Sequence, residues 1–181
     1  PANHKLVFGG DGPAIRYIGA GVSEDQNWLF IYAANATYGN ALYVQDLRTA
    51  NMPIVAMVSD MTNQHGVIDA DASNFYVQTD RNAPNGKIMV VPFANPAEAN
   101  WKVLIDAKPE VLSASTAGGY IYCSYLKDAV TKVMQYDRTG KQLREISLPG
   151  LGTASGFAGK IDDKDIFFTF ASYINPATIY K

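Results

Sequence analysis

The residues that could do chemistry are few, and their spacing does not form a catalytic set. The closest approach to a hydrolase nucleophile is Gly152–Gly156, GTASG, in which Ser155 stands one place later than the serine of a G-x-S-x-G elbow. The histidines, His4 and His65, are far from it in sequence. No pattern places either one between a serine and a carboxylate, as a triad requires. We therefore expect Ser155 to be a strand or turn hydroxyl and both histidines to be solvated.

Three further motifs favour structural roles over metal or cofactor binding. Asp69–Asn74, DADASN, begins like a calcium loop but lacks glycine at the sixth place, and Asp80 stands where a bidentate glutamate is needed. An Asx turn explains it better. The glycine-rich run at 9–12 lacks the Lys-Ser/Thr of a phosphate loop. The single cysteine, Cys123, excludes an intrachain disulfide and is expected to be a buried, inert thiol. We expect no metal and no cofactor.

Composition indicates a folded domain without an electrostatic partner. The chain has 181 residues, of which 48% are hydrophobic and 12% aromatic, enough for a packed core. The net charge of −2 gives no reason to expect nucleic acid or an anionic membrane as a partner. No apolar run approaches the roughly 20 residues that span a bilayer. Cytoplasmic and periplasmic locations both fit, so the compartment stays open.

The elements that would position these residues are short β-strands. Runs of four to eight apolar or alternating residues recur along the chain, each closed by a turn cluster. One segment, Asn95–Trp101, could form a short helical turn, although we expect a loop there. The predicted strands are 4–8, 15–22, 28–34, 41–47, 53–59, 66–69, 75–79, 87–93, 101–105, 111–116, 120–125, 132–137, 142–148, 153–158, 165–172 and 177–181.

These strands fall into an internal repeat of about 45 residues, the spacing of a four-stranded propeller blade. The turn between the first two strands of each unit puts acidic residues or glycine ahead of an aromatic, alternating strand. It recurs at Val22–Phe30, Ile68–Val77, Thr116–Tyr122 and Lys160–Phe168. The repeat predicts an all-β chain: a partial β-propeller of about four antiparallel four-stranded blades, with the last blade incomplete. The predicted blades are 15–59, 66–106, 111–148 and 153–181.

Other all-β architectures account for the repeat less well. A β-sandwich of similar strand count does not require matching turns every 45 or so residues. A WD40 propeller carries Gly-His and Trp-Asp signatures, and neither dipeptide occurs here. A glycosidase propeller needs clustered carboxylates, whereas these acids lie mainly in turns. A non-enzymatic propeller scaffold for protein or ligand binding stays open as the alternative function.

The last predicted blade lacks its outer strand, and the first predicted strand, His4–Phe8, lacks partners of its own. Unpaired sheet edges favour further strand pairing. We therefore predict that His4–Phe8 supplies the missing strand of a closing or neighbouring blade. Pairing within one chain would close a small ring, and pairing between two chains would give a homodimer.

The segment Leu148–Lys181 resembles the propeller of prolyl oligopeptidases. It has Leu-Pro-x-x-Gly ahead of Gly-Phe-x-Gly, then Asp-x-x-x-Phe, then Ser-Tyr-x-x-Pro-x-x-Ile-Tyr. Asn40–Leu47 and Asp80–Ile105 also resemble segments of that propeller, so the resemblance covers nearly the whole chain. Its motif residues at the carboxyl end are Leu148, Pro149, Gly152, Gly156, Phe157, Gly159, Asp163, Phe167, Ser172, Tyr173, Pro176, Ile179 and Tyr180.

The resemblance implies a role within a larger enzyme. Members of that family are serine peptidases that cut short peptides after proline. They join an α/β-hydrolase domain, which bears the Ser, Asp and His, to a propeller that covers the site. By resemblance, this chain is the substrate-gating propeller portion and lacks the catalytic domain. Its implied partners are that hydrolase domain of the same parent chain and short proline-containing peptides.

The resemblance also implies a substrate-cavity segment in the first blade. In this family the loop after the second strand of a blade carries an arginine and a cysteine, with a methionine shortly before. Here Tyr17 stands at the methionine place, Ala34 at the arginine place and Thr37 at the cysteine place, so none of the three residue types is kept. By position, the resemblance assigns Tyr17, Asn35 and Thr37 to the cavity lining.

Overall fold

The structure is a computed structural model, which describes residues 4–10 and 14–181. Apart from one short 3-10 turn at Glu98–Asn100, every regular element that it describes is a β-strand. The strands are β1 Tyr17–Val22, β2 Trp28–Ala34, β3 Ala41–Asp46, β4 Val55–Val58, β5 His65–Ala70, β6 Asn74–Thr79, β7 Lys87–Pro92, β8 Lys102–Ile105, β9 Val111–Ala117, β10 Tyr120–Lys127, β11 Val130–Tyr136, β12 Gln142–Ile146, β13 Thr153–Gly156, β14 Phe168–Ala171 and β15 Thr178–Tyr180.

Consecutive strands pair into four antiparallel sheets, in the orders β1-β2-β3-β4, β5-β6-β7-β8, β9-β10-β11-β12 and β13-β14-β15. Each sheet is a meander, as antiparallel neighbours allow, with connections from two residues between β9 and β10 to eleven between β13 and β14. The last sheet has three strands where the others have four. The predicted all-β fold class, with an incomplete last sheet, is therefore confirmed.

The chain divides into two compact units, residues 1–65 and 66–181. The first unit contains the first sheet. The second contains the other three sheets, apart from His65 at the start of β5. Each unit has buried residues from its own sheets, and each is described separately below.

The second strand of each four-stranded sheet has at least half of its side chains buried. In β6 the consecutive residues Phe75, Tyr76 and Val77 are all buried. Successive side chains of a strand point to opposite faces, so both faces of that sheet are covered. In contrast, β1 is exposed along its whole length. Burial therefore centres on the second strand, and the first strand of the first sheet is left open.

Aromatic side chains join the third and fourth sheets within the second unit. Tyr122 of β10 stacks on Phe157 with ring centroids 5.9 Å apart, and Phe157 stacks on Phe168 of β14 at 4.8 Å. Phe168 stacks in turn on Tyr180 of β15 at 5.5 Å. Each of these aromatic pairs contributes about 0.5–1.5 kcal/mol beyond its buried area. The stack therefore fixes the incomplete sheet against its complete neighbour.

Several strand predictions need correction. His4–Phe8 forms no strand in the structure, although Phe8 packs on Tyr43 with ring centroids 4.9 Å apart. Its pairing with another blade or a second chain stays a prediction. The strand predicted over 165–172 begins at Phe168, because its partner β13 ends at Gly156, where the backbone turns with φ +114°. Residues beyond that turn have no strand to pair with.

The segment expected to be a loop, Asn95–Trp101, contains the 3-10 turn at Glu98–Asn100. The Trp101 indole N–H donates to the Pro96 carbonyl across this turn, at 2.9 Å. Glu98 pairs with the guanidinium of Arg81. One side-chain hydrogen bond and one ion pair thus stabilise a turn that is too short to form by itself.

His65 also departs from expectation. It is buried, with 3% of its surface exposed, where the sequence predicted a solvated side chain. His4 is exposed, as predicted. Cys123 is buried as predicted, and burial raises the pKa of its thiol to about 12, so it is not a reactive thiolate at neutral pH.

The calcium-like motif forms the expected Asx turn. One Asp71 carboxylate oxygen accepts the backbone N–H groups of Ser73 and Asn74, at 2.7 and 2.8 Å. The other accepts the hydroxyl of Tyr76. Arg138 lies over the Tyr76 ring, 5.1 Å from its centroid, and pairs with Asp69. A polar network therefore joins the turn between β5 and β6 to the turn between β11 and β12.

Burial would by itself raise the pKa of Asp71. The Tyr76 hydroxyl, the two backbone donors and the Arg138 charge outweigh burial, and the pKa lies below its ordinary value of 3.8. A carboxylate with a lowered folded-state pKa stabilises the fold above its unfolded-state pKa. That stability is lost as the pH falls through the folded-state value.

We predict that Asp71→Asn destabilises the chain at pH 7 and that this deficit shrinks below about pH 4, where the unfolded chain takes up a proton before the folded carboxylate does. Urea unfolding of both forms between pH 7 and pH 2.5 measures it. Tyr76→Phe, which keeps the ring over Arg138, should give a smaller deficit with the same trend. A deficit that is constant with pH would contradict the assignment.

Candidate functional site

Strand register brings two of the predicted cavity residues to one end of the first sheet. Tyr17 at the start of β1 lies opposite Ala34 at the end of β2, so Asn35 follows directly beside it. The Asn35 side-chain oxygen accepts the backbone N–H of Arg16 at 3.2 Å. This hydrogen bond extends the pairing of β1 and β2 by one residue and orients the asparagine toward the start of β1.

A shallow cavity of about 430 Å³ lies at this end of the sheet. Its size falls within the range of small-ligand clefts. Among the described residues, Ala14, Ile15, Arg16 and Asn35 line it. A peptide segment could therefore contact apolar surface and meet hydrogen-bonding groups in the same place.

The loop between β2 and β3 borders this site. Thr37 is exposed in the loop, and Tyr38 next to it is 54% exposed. Asn35 thus lines the cavity, Tyr17 begins the strand beside it, and Thr37 lies two residues further along the same loop. The three residues occupy one end of the sheet, and their role in a substrate cavity stays a proposal.

The far side of this loop is rigidly attached. Gly39 adopts φ +79°, and a β-carbon there would lie 2.1 Å from the Met61 carbonyl oxygen, so a larger residue does not fit. The Asn40 side chain accepts the His65 N–H at 2.9 Å and donates to the His65 carbonyl at 3.0 Å. These two side-chain hydrogen bonds take the place of backbone strand pairing at this position. They hold the end of the loop next to β3, while the loop tip is exposed.

Arg16 is the site residue that sequence reasoning missed. It stands one place before β1 in the structure, although the predicted strand over 15–22 includes it. The β1–β2 register alone would have placed it opposite Asn35. The sequence predicts the turn between β1 and β2. Counting residues outward from that turn along both strands places Arg16 opposite Asn35.

Three acidic residues of this sheet, Glu24, Asp25 and Asp46, lie at its opposite end. In the β1–β2 turn, Asp25 accepts the Ser23 hydroxyl at 2.5 Å and the Asn27 N–H at 3.1 Å. Desolvation acts to raise the pKa of Asp25, but these hydrogen bonds lower it overall. Asp46 pairs with Arg48 at 2.6 Å, and the Arg48 hydrogen bond lowers the pKa of Asp46. The carboxylates there are ionised and partnered.

A second cavity, of about 720 Å³, lies in the other unit beside the aromatic stack. Tyr122, Phe157, Phe168 and Tyr180 line it together with charged residues such as Arg144. It adjoins β15, the edge strand of the three-stranded sheet. Sequence reasoning assigned no ligand to this region.

Within residues 4–10 and 14–181, no group of three or more His, Cys, Asp or Glu side chains is arranged to hold a metal ion. No helix within those ranges has the length and apolar character to cross a membrane.

The order and pairing of these sheets define a β-propeller domain, and comparison with known proteins gives its family. All 181 residues match the model of the prolyl oligopeptidase N-terminal β-propeller domain. The chain belongs to that family. Two curated relatives, the prolyl endopeptidases of Elizabethkingia miricola and Elizabethkingia meningoseptica, are 40% and 42% identical to it over 177 residues, 98% of this chain.

Solved structures agree with the sequence match. A chain from a structural and mechanistic study of two prolyl endopeptidases superposes with a TM-score of 0.84 at 31% identity, over 91% of this chain and 24% of that one. Prolyl oligopeptidase B from Galerina marginata, bound to a 35mer substrate, shares the fold at a TM-score of 0.81 and 23% identity, over 90% and 24%. The chain spans 25% of the length of both Elizabethkingia relatives.

We predict that Asn40→Asp lowers the free energy of unfolding by about 1–3 kcal/mol at pH 7, because the new carboxylate would face the carbonyl oxygens of Ala41 and His65. The loss should diminish at low pH, where the protonated acid can donate again. Urea unfolding at pH 7 and pH 3 measures both values.

Asn51→Asp is the matched control, since Asn51 is an exposed residue of the β3–β4 turn with φ +62°. It should change the free energy of unfolding by less than about 0.5 kcal/mol. Equal losses in the two variants would show that the Asn40 amide does not hold the loop.

Proposed function

We propose that this chain is the substrate-gating propeller portion of a prolyl oligopeptidase, a serine peptidase that cleaves short peptides after proline. The observation that carries the proposal is the match of all 181 residues to the N-terminal propeller of that family. The likeness to a chain from the prolyl endopeptidase study, at a TM-score of 0.84, supports it. In this role the chain binds and filters substrate while another domain performs the reaction.

The chemistry belongs to the proposed catalytic domain. There histidine would take the proton of a serine hydroxyl, and the serine oxygen would attack the proline carbonyl carbon. The C–N bond after proline would break, the amine would leave with that proton, and water would then hydrolyse the acyl-enzyme. No residue of this chain is assigned to that triad. Ser155, in the nearest approach to a nucleophile motif, lies in strand β13.

The contribution of this chain is steric. Its sheets are tightly packed: Leu42, Phe75, Ile88 and Ile121 have no exposed surface. Such cores deform little, so the surface that they support can act as a fixed barrier. A barrier over a catalytic site admits short, extended peptides and excludes folded proteins. The exposed loop after β2, with Tyr17, Asn35 and Thr37 at its end of the sheet, would form part of the cavity wall.

Isolated chains could also pair through the fourth sheet. β15 is an edge strand in the described sheet, and Ile179 on it is 73% exposed. Unprotected edges of this kind favour strand addition. A homodimer of the isolated chain therefore stays part of the proposal, and mass determination in solution tests it.

Because the proposal assigns catalysis to another domain, we predict that the purified chain does not hydrolyse a chromogenic Gly-Pro substrate, while the full-length protein that contains it does. Turnover is followed by release of the chromophore. Inhibition of the full-length protein by a serine-directed acylating reagent should abolish activity. Turnover by the purified chain would overturn the proposal that catalysis resides elsewhere, and inactivity of the full-length protein would overturn the proposed peptidase.

The cavity role predicts a specific effect of Thr37→Trp in the full-length protein. An indole on this exposed loop should narrow the cavity and raise KM for peptides of about ten residues more than for a dipeptide substrate, because longer chains fill more of the space. Thr49→Trp, at an exposed position in the β3–β4 turn at the other end of the sheet, is the control. Equal effects of the two variants would remove the loop from the cavity wall.

A further inference from the structure

Arg16 differs from the other arginines of the chain in having no fixed partner for its side chain. The sequence contains five arginines. Arg48, Arg81 and Arg138 each pair with a carboxylate, and the Arg144 guanidinium donates to Gln135 at 2.7 Å. Among residues 4–10 and 14–181, no carboxylate pairs with Arg16, although Asn35 fixes its backbone N–H at 3.2 Å. An arginine with a fixed backbone and an unpaired guanidinium is available to a ligand.

No acidic side chain among the described residues of the first unit lies close to Arg16; Asp11 is outside the described residues. Glu24 and Asp25 occupy the far end of β1, and the six residues of that strand separate them from Arg16 by about 20 Å. Asp60 follows β4 at the near end of the sheet, but β4 lies three strand spacings from β1, roughly 14 Å. Both distances exceed the Debye length of about 8 Å at physiological salt, so these three carboxylates screen the Arg16 charge little.

Arg16 also lines the 430 Å³ cavity, together with Ala14, Ile15 and Asn35. None of the described residues that line the cavity is acidic. A guanidinium beside apolar surface suits a carboxylate attached to a hydrocarbon frame, since arginine can donate two parallel N–H bonds to the two carboxylate oxygens. The Asn35 amide can add a donor on the same side.

We propose that Arg16 binds a carboxylate of the substrate peptide and so makes the parent enzyme prefer short acidic peptides or peptides with a free carboxyl terminus. This inference rests on the proposed peptidase function. Ala34, in the adjacent strand, has no charge to offer, so Arg16 supplies the cation at this end of the sheet. It acts in substrate selection and takes no part in bond cleavage.

The test uses the full-length protein and three matched proline-containing peptides of about eight residues. One ends in a free carboxylate, one ends in an amide, and one ends in an amide but carries an internal aspartate beyond the proline. We expect Arg16→Ala to lower kcat/KM about three- to tenfold for the free-acid peptide and to change the first amide little. A loss confined to the aspartate peptide would assign Arg16 to an acidic side chain instead of the terminus.

Two variants serve as controls. Arg16→Lys should keep most of the preference for the free-acid peptide, because it preserves the charge. It should lose a part, because lysine cannot form the bidentate arrangement. Arg48→Ala removes an arginine from the opposite end of the same sheet and should leave the ratio of acid to amide peptides unchanged. The preference of the native enzyme should also weaken between about 50 and 500 mM NaCl, as expected for an exposed charge.

The possible results distinguish the carboxylate-binding role of Arg16 from the proposed peptidase function. If the full-length protein cleaves after proline and Arg16→Ala affects all three peptides equally, the carboxylate role is wrong and the proposed function stands. If the full-length protein cleaves no proline peptide, both fail. If the acid preference disappears in Arg16→Ala and remains in Arg48→Ala, the inference is confirmed.

Discussion

The structure depends on the need of each small antiparallel sheet to cover both of its faces. A sheet of three or four short strands buries too little apolar surface to be stable alone. The second strands meet this need, because Phe75, Tyr76 and Val77 follow one another in β6 and all are buried. Within the second unit, the aromatic stack from Tyr122 to Tyr180 packs the third sheet against the fourth.

Much of the fold could be predicted from the sequence, because alternating apolar residues and turn clusters are local signals. The strands from Trp28–Ala34 to Gln142–Ile146 lie close to their predicted positions. Tertiary effects escaped prediction. His65 is buried, and its backbone bonds to the Asn40 amide 25 residues away in sequence, a contact that no local pattern specifies. The strand predicted to begin at Asp165 begins at Phe168, because its partner strand β13 ends at Gly156.

The candidate site could be predicted only in part. The resemblance assigned Tyr17, Asn35 and Thr37 to one loop and its adjacent strand; the register places Tyr17 opposite Ala34 and so beside Asn35, and the place of these residues in a substrate cavity stays a proposal. Arg16, whose backbone N–H donates to Asn35, lines the neighbouring cavity and was not among the predicted residues. Because the cross-strand position is set by pairing, a motif read along one strand could not contain it.

The attachment of the β2–β3 loop has an evolutionary consequence. Asn40 bonds to His65, and Gly39 lies too close to the Met61 carbonyl for a larger residue to fit. Residues 36 and 37 are exposed at the tip and contribute no strand pairing. Substitutions at these two positions can therefore accumulate at little cost in folding, while the anchor stays constrained. The surface at this end of the sheet can thus change over evolution while the attachment of the loop is inherited unaltered.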